Sequence, residues 1–416
     1  MSGAAWALAA LVGAILLSLT SRVNVGIVAI GLAWLAGVFG ARLSAEQVLG
    51  GFPGSLFVTL LGVTLLFAAA EANGTLAALA ARVVSLARGD ARVLPWLLFL
   101  GAAALSSLGP GAVPTVALVA PLGMAAAVRA GVSPFLAALR VCNGANAGNL
   151  SPVSAVGVVA NGIMARAGLG GHAVRLWLWN AAAHALVAAA AYLLLRPRGA
   201  VAAAASATPA AQYDPLTRTE WLTLGAITAW VAGLLLLHWP LGPSACAAAA
   251  LLVALRAADE SGTIRRVPWG AIVMVCGVSM LVALLDKTGG MPLFAALLAK
   301  LATPATLDGT IAFVTGAIST WSSTSGVVIP AFLPTARALV AQTGGGDPLA
   351  VSLSIAVGSH LVDVSPLSTL GALCIATIAD PTGQRLLFRR LMTWGLSMIV
   401  VGALLCQLAA SFVARL

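Results

Sequence analysis

Four short clusters hold most of the residues able to recognise a small polar ligand. The first is Ser107-Leu-Gly-Pro-Gly-Ala-Val-Pro-Thr115, and the second is Asn143-Gly-Ala-Asn146-Ala-Gly-Asn149-Leu-Ser151-Pro152-Val-Ser154. The third is Ser319-Thr-Trp-Ser-Ser-Thr-Ser-Gly326, and the fourth Ser359-His360-Leu-Val-Asp363-Val-Ser365-Pro366-Leu-Ser368-Thr369. Asp363 is the one carboxylate well inside an apolar stretch. A charge there is costly, so a role with a coupling cation or proton is the default reading, against a structural hydrogen-bonding role. His360, three residues earlier, shares its face if the segment is helical. It is either the partner of Asp363 or a polar packing residue. An isolated Ser or Thr in an apolar helix usually bonds back to a carbonyl, and Gly144 with Gly148 alone would be a packing motif. Recurrence of the clusters favours ligand binding over these blander readings.

That recurrence is an internal repeat. NLSPVSAVG at 149–157 returns as DVSPLSTLG at 363–371, an offset of 214, and Gly144 falls on Gly358 at the same offset. GVTLLFAAAEANG at 62–74 matches GVSMLVALLDKTG at 277–289, an offset of 215, with Glu71 opposite Asp286. Pro121 and Pro334 correspond at 213. Three blocks in the same order define two homologous halves.

The elements that must carry these clusters are apolar helices. Of 416 residues, 61% are hydrophobic and 8% charged, and the mean hydropathy is +1.03. A soluble domain carries about 25% charged residues. Apolar runs near the length needed to cross about 30 Å of hydrocarbon recur along the chain. The first half (1–196) is expected to contain spans at 4–19, 24–39 and 54–71, an amphipathic helix at 75–88, a broken stretch at 92–128, a broken helix at 134–165 and a span at 172–195. The second half (217–416) repeats this with 217–237, 243–256, 267–286, a helix at 290–302, 305–340, 348–378 and 385–414, after a linker at 197–216. With 92–128 and 305–340 as re-entrant hairpins, the expected fold is an all-α polytopic membrane protein of two inverted repeats. Each repeat has five crossings plus a hairpin, about ten transmembrane helices and two hairpins in all. Non-helical backbone at membrane depth must line a cavity or be buried in protein. Broken helices in transporters use that backbone to hold ions and substrate.

Counting alternate sides puts fifteen of the 22 basic residues, Arg140 among them, on one face and seven on the other. The first face is then cytoplasmic, both termini are periplasmic, and the first hairpin opens to the cytoplasm. Arg outnumbers Lys 20 to 2, which favours a bacterial source and its inner membrane. The net charge of +10 is scattered between apolar runs, so nucleic acid is not an expected partner. The five cysteines lie apart in apolar stretches and have no metal spacing. There is no HExxH, GxSxG or Walker sequence, and Gly109-Pro-Gly111 follows no strand. An intramembrane enzyme or a channel is disfavoured, and no cofactor is expected beyond a coupling ion.

The stretch VPTVALVAPLGMAAAVRAGVSPFLAALRVCNGANAGNLSP (113–152), continuing to VVANGIMARAGL (158–169), resembles the malonate/dicarboxylate carrier (MatC-type) family of the ion-transporter superfamily. The wider plan is similar to that of divalent-anion:sodium symporters. The resemblance implies an elevator-type symporter, often dimeric, taking up a small dicarboxylate such as malonate, succinate or malate with Na⁺ favoured over H⁺. The symporters' Ser-Asn-Thr tip triplets fall here on Gly111-Ala112-Val113 and Thr324-Ser325-Gly326. Their Ser-Pro-Pro-Asn motif falls on Ser154-Ala-Val-Gly157 and Ser368-Thr-Leu-Gly371, so only the serines carry over. Substrate contacts are accordingly expected from Gly111, Thr115, Asn146, Asn149, Ser154, Thr324, Ser325, Ser365, Ser368 and Thr369. Ion coupling is expected from Ser107, Asn143, Ser319, Ser323, His360 and Asp363, with a sodium site near Ser107, Ser323 and Asp363. The alternatives are H⁺-coupled symport and sodium/proton antiport, the latter with Asp363 and His360 as the exchanging pair.

Overall fold

The computed structural model describes residues 2–20, 23–88, 90–195 and 215–416; the linker expected at 197–216 lies outside the described residues up to 214. The first half runs α1 (Gly3–Thr20), α2 (Val25–Leu35) extended by a π-turn (Ala36–Gly40), α3 (Ala45–Leu49), α4 (Gly54–Ala72) and α5 (Thr75–Ser85). It continues with α6 (Leu94–Ser107), α7 (Ala112–Arg129), α8 (Pro134–Asn149), α9 (Ala155–Arg166) and α10 (Ala173–Leu195). The second half opens with α11 (Arg218–Leu236), α12 (Leu241–Ala254), α13 (Glu260–Arg266), α14 (Trp269–Lys287), α15 (Met291–Ala299) and α16 (Leu307–Ser319). A segmented arm follows: a π-turn at Thr324–Val328, α17 (Ile329–Phe332), a 3₁₀ turn at Leu333–Thr335 and α18 (Ala336–Thr343). Then come α19 (Pro348–Leu361), a 3₁₀ turn at Val362–Val364, α20 (Thr369–Ala376) and α21 (Pro381–Arg415). No strand occurs among the described residues. The order of elements in the first half recurs in the second. The short helices α3 and α13 are additions to the expected set.

Seven helical segments among the described residues are long and apolar enough to cross a membrane. The arms α6 and α16, at 14 and 13 residues, are not. At 1.5 Å per residue they reach only about 20 Å, short of the hydrocarbon thickness. The helices are interrupted at Leu108–Gly111 and Thr320–Ser323, between each arm and the segment that follows it.

The halves interlock reciprocally. α4 packs on α12, and its counterpart α14 packs on α2. Glycine makes both approaches possible: a Cβ on Gly277 would fall on the Gly26 carbonyl, and one on Gly62 on the Gly242 carbonyl. Small residues at such contacts let backbones meet where lipid gives no hydrophobic drive. At the centre, Asn146 Nδ2 donates to the carbonyl of His360 at 3.3 Å, across a sequence separation of 214. That separation is the repeat offset, so Asn146 touches its own counterpart in the other half. In an 18-residue apolar stretch of Pro348–Ala376, 89% of the residues are buried, against 28% in one of Pro381–Arg415, which exposes an apolar stripe of Leu396, Val400, Leu404 and Leu408.

Glu71 at the end of α4 pairs with Arg266 of α13 at 4.0 Å; partly exposed, the pair adds little to stability. Arg140, counted as a face charge, is fully buried.

Candidate functional site

Each hairpin tip meets the break of the long helix in its own half. In the first half Gly109 and Gly111 have φ of 151° and 79°, and a Cβ on Gly109 would strike the Phe67 ring. Only glycine adopts this geometry without strain. The turn aims the Ala112 N–H at the side chain of Asn149, whose Oδ1 accepts it at 2.9 Å. Ala155, the first residue of α9, donates its N–H to the Gly109 carbonyl at 3.1 Å. Ser154 serves the freed backbone: its hydroxyl lies 2.5 Å from the Asn149 carbonyl and 2.9 Å from that of Ser151, and accepts from Gly157 N–H at 3.1 Å. Gly111→Ala is expected to cost about 1–2 kcal/mol through its left-handed backbone and to loosen the Asn149 contact. A thermal-unfolding comparison with wild type measures this.

The second half builds the same contact with charge added. Asp363, the counterpart of Asn149, accepts from Thr324 Oγ1 at 2.7 Å. Thr324 also pairs with the Ser319 hydroxyl, which lies 3.0 Å from the Ser359 carbonyl. Ser368, the counterpart of Ser154, bonds to the Asp363 carbonyl and lies 2.8 Å from that of Ser365. Ser323 caps the π-turn by accepting from Gly326 N–H at 3.0 Å. π-turns are rare and often sit at functional positions. The result is a cluster of oxygens from Asp363, Thr324, Ser319 and Ser359 that includes one carboxyl group, the ligand type that hard cations take. The N-terminus of α20 has no side-chain cap, and its Thr369 is exposed. Uncapped N–H groups there suit an anion.

The expected residues therefore gather in three groups. Gly111, Asn149 and Ser154 gather at the first tip, with Ser107 beside Gly148. Thr115 is fully buried one turn along, and its hydroxyl has no partner among the described residues. Ser319, Thr324, Asp363 and Ser368 gather at the second tip; Ser323 and Ser325 are partly exposed beside Thr324, and Ser365 is buried behind the break. Ser107 and Asp363 belong to different tips, with no bond between them. Asn143, Asn146 and His360 form a third group, where α8 meets α10 and α19. His184 Nδ1 lies 3.0 Å from Asn143 Oδ1, and Asn180 Nδ2 donates to the Asn146 carbonyl at 2.7 Å.

Three participants escaped the sequence reading. Ser106, the counterpart of Ser319 at the offset of 213, is fully buried with an unpartnered hydroxyl; the repeat alone could have found it. Asn180 and His184 lie in α10, whose counterpart α21 has no polar residues at matching places, so no repeat signal existed. A cavity of 650 Å³ runs between α7 and α20, lined by Val116, Pro121, Val128, Leu373, Thr377 and Asp380. In the matching region of the second half Phe332 and Leu333 are 1% exposed, where α17 and the 3₁₀ turn meet α9.

No curated protein matches the chain by sequence. Among the solved structures, the crystal structure of the Alcanivorax borkumensis YdaH transporter matches with a TM-score of 0.59 and 17% identity, over 89% of this chain and 90% of that one. That likeness is one of fold. The carrier resemblance drawn from residues 113–152 also returns over the N-terminal part of the chain. Residues 1–149, from α1 to the break in α8, match the family model of the dicarboxylate carrier protein MatC N-terminus.

Proposed function

We propose that the protein is a secondary transporter that takes up a small dicarboxylate, such as malonate, succinate or malate, together with a cation, Na⁺ being favoured. The observation that carries this is the paired arrangement of tip and break, neutral at Asn149 and charged at Asp363. The Asp363 cluster offers oxygens to a hard cation, while uncapped N–H groups at the start of α20 meet the anion. A dianion with co-bound cations crosses the membrane at less electrostatic cost than either alone.

In this reading the two halves are inverted in a bacterial inner membrane, and the hairpins with α8–α9 and α19–α20 move as a transport body. The groove between α7 and α20 is then the access route on the side to which the first hairpin opens. Uptake of labelled malonate into proteoliposomes, with and without an inward sodium gradient, tests the function: at least a tenfold stimulation by the gradient is expected. Labelling that finds the 197–216 connector and the C-terminus on one side would remove the inversion. Proton coupling is the second reading, favoured by the buried His184 and His360, whose Nε2 atoms have no partners among the described residues. An imposed pH gradient replacing sodium in the same assay decides between them.

A further inference from the structure

Arg140 is the one basic residue buried from solvent among the described residues, and none of them answers its charge. It lies in the second turn of α8, about 13.5 Å of helix rise before Asn149. Its guanidinium carbon is 4.1 Å from the Trp96 ring centroid on α6 and 5.1 Å from that of Tyr192 on α10. Nε and both Nη atoms are buried without a hydrogen-bond acceptor. The only ion pair among the described residues, Arg266 with Glu71, lies elsewhere.

Ring faces attract a cation, but they leave the in-plane N–H fork of the guanidinium unanswered. An uncompensated buried charge is strongly unfavourable, and this fork matches a carboxylate or phosphate with two parallel bonds. The repeat does not require the charge: Ser354 stands opposite Arg140, and Gly309 opposite Trp96. From Arg140, α8 continues through Asn143 and Asn146 at three-residue steps, met by His184 and Asn180 of α10. A polar seam thus joins Arg140 to the break. Trp96, 40% exposed, is the outer wall of the clamp.

We propose that Arg140, held between Trp96 and Tyr192, is an oxyanion-binding site at the end of the α8–α10 seam remote from the break. The oxyanion is a carboxylate of the transported ligand or the phosphate of an anionic lipid headgroup. The first source rests on the transport reading; the site does not.

The test uses the full chain in nanodiscs of zwitterionic lipid, with or without phosphatidylglycerol. It measures equilibrium binding of labelled malonate, tryptophan fluorescence and thermal stability for wild type, Arg140→Gln and Arg140→Lys. In Arg140→Gln, one class of anion response is expected to weaken at least tenfold, with part restored in Arg140→Lys. Loss of a malonate-binding step names the carboxylate as the ligand. Loss of stabilisation by phosphatidylglycerol, with malonate binding unchanged, names the lipid phosphate. A folded Arg140→Gln protein that retains both responses overturns the proposal. If Arg140→Gln does not fold, Trp96→Leu carries the test, since it keeps the charge and removes the wall: the same losses support the site, and unchanged responses overturn it. Wild-type protein that shows Arg140-dependent anion responses but no malonate uptake would overturn the transport reading and leave the site standing.

Discussion

Asp363→Asn is expected to abolish sodium stimulation and to lower malonate uptake by about tenfold to a hundredfold, while the protein folds and inserts normally. The substitution changes charge and almost nothing else. An asparagine oxygen can still accept the Thr324 hydroxyl, which Asp363 now receives at 2.7 Å, and the first half already carries asparagine at the equivalent position, Asn149, contacting its own tip. The contact between break and tip therefore survives. What disappears is the one negative charge in an oxygen cluster of Asp363, Thr324, Ser319 and Ser359. Interactions with a charged group contribute about 1.5–3 kcal/mol, and each 1.4 kcal/mol is tenfold in affinity. Initial uptake rates across a sodium titration measure the effect. A mutant with undiminished sodium-dependent uptake would exclude Asp363 from cation binding.

Gly277→Leu is expected to destabilise the protein by about 3 kcal/mol or to prevent its assembly, whereas Gly31→Leu is expected to be neutral. A Cβ at Gly277 would land on the Gly26 carbonyl, and the reciprocal atom at Gly26 would land on the Val273 carbonyl. Backbone cannot move aside as a side chain can, so the α2–α14 contact must open. Overpacking in a yielding core costs about 1–3 kcal/mol, and this site does not yield. Gly31, also in α2, has nothing within 4 Å of its Cβ position. Detergent-solubilised melting curves of the two variants beside wild type provide the comparison. Equal stabilities would show that the reciprocal helix contact does not hold the halves together.

Much of this protein was determined locally. Apolar runs, proline and glycine breaks and the repeated NLSP/DVSP motif located the helices and both interruptions, because each depends on residues near in sequence. The breaks are set where Ser154 and Ser368 serve freed carbonyls three and five residues back. The tip at Gly109–Gly111 is likewise set by residues that alone tolerate positive φ. The repeat offset by itself pairs Asn149 with Asp363.

Tertiary structure decided which groups actually meet. Arg140 read as a face charge because sequence position gives depth along a helix but not the direction in which a side chain points; packing of α6 and α10 around α8 buried it. Ser107 and Asp363 stand at different tips, each tip closing on the break of its own half. Asn180 and His184 became part of the central group only because α10 lies against α8. Short-range sterics and hydrogen bonding fix helices and their breaks, whereas the meeting of side chains distant in the chain depends on how rigid helices pack, which no single segment encodes.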